Sequence, residues 1–130
     1  MRNVMVGWAG GKLAQGIEIG SHRLRSDELI EKGGEDTGPG PHDLLLAALG
    51  SCTAMTLKVY AQRKGWPLRD VRVTLSGASA DGRYVISRVM TIDGDLDAEQ
   101  RQRLLEIADK CPVHKTLTGE IIVNTTAEGV

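Results

Sequence analysis

The N-terminal third of the chain carries short runs of strand-forming residues. Val4-Met5-Val6 and Ile17-Glu18-Ile19 are separated by Gly10-Gly11, and Gly20 closes the second run. β-Branched and other apolar residues bounded by glycines are typical of strands joined by turns. The pattern therefore predicts two strands in this part of the chain.

A second pair of strands is predicted in the middle of the chain, where apolar and polar positions alternate. The apolar positions of the first run are Val71, Val73 and Leu75, and those of the second are Tyr84, Ile86, Met90 and Ile92. Strict alternation is the pattern of a strand with one face buried. Asp81-Gly82 lies just before the second run and favours a tight turn, so the two runs predict an antiparallel hairpin.

A long apolar segment follows a loop that is rich in glycine and proline. Residues 32–41 include four Gly and two Pro, which predicts irregular backbone. The helix begins at Pro41 or His42 and ends at Lys64, since Gly65 and Pro67 supply a stop. Its apolar residues cover nearly every face: Leu44, Leu45, Leu46, Ala47, Ala48, Leu49, Met55 and Leu57. A helix that is apolar all round belongs in the centre of a core or of an interface.

Another helix and a final strand complete the pattern. Asp97 and Gln100 form a capping-box-like start, and an apolar stripe follows at Leu104, Ile107, Ala108 and Cys111. Pro112 ends this helix and begins a short helical turn through Leu117, and Ile121–Asn124 is predicted to be a strand. Clustered strands with two helices predict an α+β fold with a largely antiparallel sheet, as a single domain over residues 1–130.

Charge and composition exclude several classes of function. The formal net charge is −1, and no basic block is present, which argues against binding to nucleic acid. The N-terminus lacks the apolar centre of a signal peptide. The longest uncharged run, residues 44–57, is too short to span a bilayer. We therefore expect a cytoplasmic protein that neither enters a membrane nor binds nucleic acid.

The two cysteines, Cys52 and Cys111, are the main candidates for chemistry. A reducing compartment disfavours a structural disulfide, which leaves catalysis, metal binding or plain burial open. Cys52 lies in an apolar helix, where burial raises a thiol pKa, so a reactive Cys52 needs a cation from elsewhere in the fold. Arg23, Arg25 and Arg88 are candidates because they lie in or beside predicted strands. Cys111 can cap the turn that Pro112 begins, where backbone N–H groups favour a thiolate.

The residues around both cysteines resemble a known family. The segments GPGPHDLLLAALGSC (residues 38–52) and CPVHKTL (residues 111–117) look like the two signature blocks of the OsmC/Ohr family, the osmotically inducible and organic hydroperoxide resistance proteins. The resemblance covers nearly the whole chain. The segments GSCTAMTL (residues 50–57) and RKGWPL (residues 63–68) are most similar to its OsmC-like redox protein branch.

This resemblance implies a fold, an activity and partners. The fold would be an intertwined homodimer in which antiparallel sheets wrap around central helices. The activity would be that of a stress-response thiol peroxidase, an oxidoreductase without a cofactor. Cys52 would reduce an organic hydroperoxide and become a sulfenic acid, Cys111 would resolve it to a disulfide, and a small dithiol or lipoyl-type reductant would restore both thiols. Leu45, Leu49 and Met55 would line an apolar substrate pocket.

One part of the family pattern differs in this chain. The hydroperoxide resistance branch carries a Glu ten residues before its reactive cysteine, paired with an arginine from the N-terminal strands. Here that position is His42, and the acid is Asp43, roughly 14 Å along a helix from Cys52. The candidates for activating Cys52 are therefore Arg23, Arg25, Asp43 and His42.

Three other functions remain as alternatives. The first is a non-catalytic protein of the same fold that binds a small ligand in the apolar pocket. The second is a metal site of Cys52, Cys111, His114 and His42, which the spacing disfavours because Cys-x-x-His is only half of a metal motif. The third is hydrolysis by a thiol nucleophile, which lacks a His–Asp pair at a recognisable triad spacing. We therefore expect no bound metal.

Overall fold

The computed structural model describes residues 1–129 of the chain. Its backbone forms two compact units, Met1–Ala47 and a second that begins at Ala48. The elements confirm the predicted α+β class with antiparallel sheets. The single domain over residues 1–130 stays a prediction.

The first unit contains a three-stranded antiparallel sheet. Its strands β1 (Val4–Trp8), β2 (Gln15–Ile19) and β3 (His22–Ser26) lie in the order β1-β2-β3. The two predicted strands are confirmed. The third strand was not predicted, because HRLRS offers one apolar residue among five and resembles a polar loop.

The loop after β3 is organised by one buried carboxylate. Asp27 is only 3% exposed and accepts hydrogen bonds from the backbone N–H groups of Glu28, Glu35 and Thr37. The Thr37 hydroxyl also donates to it, and these bonds, that hydroxyl first, lower the pKa of Asp27 from 3.8 to about 2. The contribution of this carboxylate to stability is therefore complete above about pH 4 and lost as pH falls through 2.

Helix α1 spans Pro41–Lys64, as predicted, and both of its ends are capped locally. The Asp43 carboxylate accepts a hydrogen bond of 2.8 Å from the backbone N–H of Gly40, just before the helix. At the other end Gly65 adopts a left-handed conformation with φ 69°, and the Trp66 N–H donates to Ala61 O at 2.9 Å. Glycine is favoured there because a side chain would be strained in this conformation.

Only one stripe of α1 is buried in the single chain. The buried residues are Leu49, Gly50, Thr53, Leu57 and Ala61, which recur at helical spacing. Met55 and Val59 are 67% and 44% exposed. An 18-residue window of this helix has a mean hydropathy of 1.5, which is enough for a membrane span by length and composition. A single helix of this kind is weak evidence for a membrane, since core helices of soluble proteins share both properties.

The predicted hairpin is the main sheet of the second unit. Strands β4 (Leu68–Ala80) and β5 (Arg83–Gly94) pair antiparallel with Val73 opposite Met90. Asp81 and Gly82 connect them with φ values of 52° and 76°. Positive φ at both central residues is the geometry of a type I′ turn, which explains the Asp-Gly sequence.

Two helices complete the second unit. Helix α2 (Ala98–Ala108) begins with the predicted capping box between Asp97 and Gln100, and α3 (Pro112–Thr118) begins at a cap formed by Cys111. A buried cluster joins α1, α2 and the start of β4: Leu57, Ala61, Leu68, Leu104, Ile107 and Ala108. The site described below rests on this core.

The predicted C-terminal strand is absent from the part of the chain that the structure describes. Ile121, Ile122 and Val123 have no regular secondary structure and are 58%, 73% and 81% exposed. The physical reason is that a strand requires a neighbouring strand for its N–H and C=O groups. Residues 121–124 have the composition of a strand but pair with none within residues 1–129.

Candidate functional site

The two cysteines lie on different elements of the second unit and face each other. Cys52 is half-buried on α1, and Cys111 is fully buried at the N-cap of α3. Both are free thiols, and their side chains share a hydrogen bond. Two residues that are 59 positions apart in the sequence are thus brought together by the packing of α3 against α1.

The surroundings of Cys52 favour its thiolate. Burial by itself raises the pKa of the Cys52 thiol, but hydrogen bonds from the Val113 backbone N–H, the Cys111 thiol and the Thr56 hydroxyl outweigh it. The resulting pKa lies below the ordinary value of 9.0. The Thr56 Oγ1 atom is 4.0 Å from the Cys52 sulfur, one helical turn away. A lowered pKa increases the fraction of the nucleophilic form at neutral pH.

The surroundings of Cys111 favour its neutral thiol. Burial raises the pKa of Cys111 above 9.0, and the hydrogen bond and negative charge of Cys52 raise it further. Two hydrogen bonds oppose this rise: one of 3.3 Å from the His114 N–H to the Cys111 sulfur, and one from the Thr53 side chain. The predicted cap is present and its N–H bond favours the thiolate, but burial has the larger effect and the net pKa is raised. At Cys111, burial outweighs the hydrogen bond from His114. The Val113 N–H of the same helix turn donates instead to the Cys52 sulfur.

The opposite pKa directions predict that the two thiols react in a fixed order. The thiolate fraction rises as pH passes a thiol's pKa, so iodoacetamide should modify Cys52 with a midpoint below pH 9.0 and Cys111 with a midpoint above it. Peptide mapping by mass spectrometry at a series of pH values measures both. In Cys111→Ala the Cys52 midpoint should rise, because one donor is lost. A Cys111 midpoint below that of Cys52 would contradict the assignment.

Cys52 opens into an apolar cavity of about 720 Å³ within the second unit. Met55, Val59, Ile107 and Pro112 supply its apolar wall. Three cationic residues also line this cavity: Arg63, Arg103 and Lys110. The thiol therefore faces a space that an apolar organic molecule can enter, bordered by positive charge.

Arg88 of β5 lines a different cavity from the one at Cys52, together with Asp109 and His114. Its side chain is only 14% exposed. It donates to the Thr53 hydroxyl at 3.1 Å, to the Asp109 carboxylate at 2.9 Å and to His114 Nδ1 at 3.2 Å. Of the three arginines that the sequence offered, Arg88 is the one that the structure places among the neighbours of the two cysteines within the second unit.

The other predicted activating residues lie in the first unit, where they have contacts of their own. Arg23 pairs with Glu18 at 3.5 Å, and Arg25 donates to the Thr37 hydroxyl at 3.0 Å. Asp43 caps α1, as described above, and the neighbouring His42 is in the first turn of the same helix. Their role in activating Cys52 stays a prediction.

The three predicted pocket residues lie at different places. Met55 lines the Cys52 cavity, as predicted. Leu49 instead lines a second cavity of about 470 Å³, beside Tyr84 and Ile86 of the hairpin. Leu45 belongs to the first unit and is 43% exposed. The helical period explains the difference between Leu49 and Met55, because residues six apart are rotated by roughly 120° around the helix axis and face different sides.

No metal-binding group is found in residues 1–129, where no three His, Cys, Asp or Glu side chains are arranged to hold an ion. His114 contacts Arg88 through Nδ1, and a guanidinium offers no acceptor, so this nitrogen accepts the bond. The side chain is thereby engaged in a hydrogen-bond network.

Comparison with known families matches the region that contains both cysteines. The model of the family described as OsmC-like protein matches residues 33–126. This range is well over half of the chain. The chain belongs to the OsmC-like protein family. Among curated protein sequences, no significant match was found.

Solved structures of the OsmC-like family share the fold at low sequence identity. An OsmC-like protein from Mycoplasma pneumoniae is similar with a TM-score of 0.78 and 17% identity, over 92% of this chain and 88% of that one. An organic hydroperoxide resistance protein OsmC from Legionella pneumophila has a TM-score of 0.72 and 20% identity, over 92% and 90%. The organic hydroperoxide resistance protein OhrB of Bacillus subtilis has a TM-score of 0.64 and 23% identity, over 92% and 91%.

Proposed function

We propose that this OsmC-like protein is a thiol-dependent peroxidase that reduces organic hydroperoxides. The observation that carries the proposal is the hydrogen-bonded pair of Cys52 and Cys111, with the pKa lowered at the first thiol and raised at the second. A reactive thiolate beside a neutral, buried thiol is the arrangement that a two-cysteine peroxidase requires. Relatives that are named organic hydroperoxide resistance proteins support the substrate class.

The reaction uses two steps on the protein. The Cys52 thiolate attacks one oxygen of the hydroperoxide, the O–O bond breaks, and the alcohol leaves after taking up a proton. Cys52 is then a sulfenic acid. The Cys111 thiol attacks the Cys52 sulfur, an S–S bond forms, and water leaves with the sulfenic oxygen. An external dithiol then reduces the disulfide by exchange and becomes a disulfide itself.

The apolar cavity supports an organic hydroperoxide as the substrate. Its wall of Met55, Val59, Ile107 and Pro112 offers apolar contacts to an alkyl group, whereas hydrogen peroxide gains nothing from them.

The exposed apolar surfaces support assembly as a homodimer. Met55 and Val59 are exposed on α1, and Ile121–Val123 are exposed without a partner strand. Exposed apolar surface of this extent is typical of a protein–protein interface. A second copy would cover the helix face and pair with the C-terminal segment. We further propose that the protein acts in the cytoplasm, where a small dithiol or lipoyl-type reductant is available.

A stoichiometric oxidation tests the proposed peroxidase reaction. The fully reduced protein is mixed with one equivalent of cumene hydroperoxide, free thiols are counted, and the intact chain is weighed. We expect rapid loss of both thiols and a decrease of about 2 Da per chain, because an intrachain disulfide replaces two thiols. Hydrogen peroxide at the same concentration should react more slowly.

The same experiment separates the peroxidase from a ligand-binding protein. The second candidate function is favoured by the size and openness of the apolar cavity, about 720 Å³, which is large enough for a drug-sized molecule. If both thiols survive the hydroperoxide, the peroxidase proposal fails and the ligand-binding function takes its place. If only Cys52 is oxidised, Cys111 is not the resolving thiol.

A further inference from the structure

Arg88 connects the elements that carry the two thiols. Its guanidinium bonds to Thr53 of α1, to Asp109 just after α2, and to His114 of α3. Thr53 is the residue after Cys52, and the His114 N–H donates to the Cys111 sulfur. Arg88 therefore contacts the residue next to Cys52 and the residue whose N–H donates to the Cys111 sulfur.

The geometry of these contacts is rigid. Thr53 is fully buried and donates its hydroxyl proton to Leu49 O at 2.7 Å, so its oxygen is free to accept from Arg88. The guanidinium is planar, and its N–H groups point in fixed directions. One side chain thus fixes the N-terminus of α3 against α1 at the level of the cysteines.

We propose that Arg88 is a positioning residue that holds Cys111 within reach of Cys52 for disulfide formation. The role in the peroxide cycle rests on the proposed function. The positioning itself does not, because any oxidant that closes the disulfide depends on the same approach of the two sulfurs. In the resolution step Arg88 only holds the residues beside the reacting sulfurs.

The step that Arg88 supports is a condensation of two side chains. The Cys111 sulfur forms a bond to the Cys52 sulfur, the S–O bond of the sulfenic acid breaks, and the oxygen leaves as water with the Cys111 proton. The rate of such an intramolecular step increases with the fraction of time that the two reacting groups spend at attacking distance. Loss of the Arg88 contacts should therefore slow the attack of Cys111 on Cys52, while the intrinsic reactivity of each sulfur stays the same.

The substitution Arg88→Met is the main test, and we expect this variant to fold. Methionine keeps an unbranched apolar stem of similar length. The carboxylate left behind is Asp109, which is 69% exposed and solvated, so no buried charge is left unpaired. Arg72→Met is the matched control, because Arg72 is an exposed arginine on the partner strand of the same hairpin.

The first readout is the equilibrium between dithiol and disulfide in mixtures of reduced and oxidised dithiothreitol. We expect the effective concentration of the cysteine pair to fall about tenfold or more in Arg88→Met, as for loss of a charge-assisted hydrogen-bond network. In Arg72→Met it should change less than about twofold, as is usual for surface substitutions. This measurement needs no hydroperoxide.

The second readout separates positioning from a general loss of structure. Single-turnover oxidation resolves the formation of the sulfenic acid from its condensation with Cys111. In Arg88→Met the first step should stay within about threefold of the wild type, while condensation slows about tenfold. Arg88→Lys keeps the charge and can reach one partner at a time. Its condensation rate should therefore lie between those of the wild type and Arg88→Met. A merely structural role would slow both steps together.

The possible results lead to different conclusions. An unchanged effective concentration in folded Arg88→Met would overturn the positioning role, even if the protein is a peroxidase. A wild-type protein that closes its disulfide but consumes no hydroperoxide would refute the proposed function and leave the positioning role in place. If Arg88→Met does not fold, Arg88→Lys replaces it, and it must then lower the effective concentration for the proposal to stand.

Discussion

Cys52→Ser is expected to abolish turnover of organic hydroperoxide. A serine hydroxyl at this position has no accessible anionic form at neutral pH, whereas the Cys52 thiol has a lowered pKa and is far more nucleophilic. Cys111→Ser should behave differently, because it keeps the attacking thiolate. It should complete one turnover and stop with a mass about 16 Da above that of the reduced chain, the mass of a sulfenic acid. Stopped-flow consumption of cumene hydroperoxide and intact-mass measurements give both results.

Two comparisons make this experiment decisive. The double variant Cys52→Ser/Cys111→Ser gives the rate of hydroperoxide loss to the reductant alone. The first step in Cys111→Ser should be within about tenfold of the wild type, since at most one hydrogen bond to Cys52 is altered. Full turnover by Cys52→Ser would refute the assignment of the attacking thiol, and normal multiple turnover by Cys111→Ser would refute that of the resolving thiol.

Leu104→Ala should have the largest effect on stability. Leu104 is fully buried in the core of the second unit, in contact with the cluster that supports both cysteines. Removing its isobutyl group loses apolar burial and leaves a cavity, which typically costs about 2–5 kcal/mol. Urea unfolding of the reduced protein at a fixed protein concentration measures the loss in the free energy of unfolding.

Leu105→Ala is the matched control for this loss. Leu105 is the next residue of the same helix and is 53% exposed, so the substitution makes the same change in helix propensity with less burial. We expect it to cost about 1 kcal/mol or less. If Leu104→Ala costs less than its neighbour, the described packing of α2 is wrong.

The elements with strong local signals could be predicted from the sequence. The bounds of α1, the Asp-Gly turn and the capping box at Asp97 and Gln100 all agree with the structure. In each case a backbone requirement is met by residues within a few positions, so no distant partner is needed. The family could also be identified, because its signature blocks are contiguous in the sequence.

Elements that depend on a distant partner could not be predicted in the same way. Strand β3 contains little apolar signal and exists because β2 offers it hydrogen bonds. The segment Ile121–Asn124 shows the reverse case, since strand-forming composition gives no strand without a neighbour. Helix α1 is apolar on all sides, and the pattern alone could not indicate which stripe the single chain buries.

The sequence by itself determined which residue types are available for chemistry, namely two thiols, each in a helical setting that neighbouring residues specify. Only the tertiary structure decided how they differ. Packing places the Val113 N–H and the Cys111 thiol on Cys52 and buries Cys111 fully, so the pKa values move in opposite directions. Packing also brings Arg88 into contact with Thr53 and His114, which lie next to the two cysteines. Hydrogen bonds and burial at a sulfur depend on atoms far away in the chain, and no local pattern records where those atoms lie.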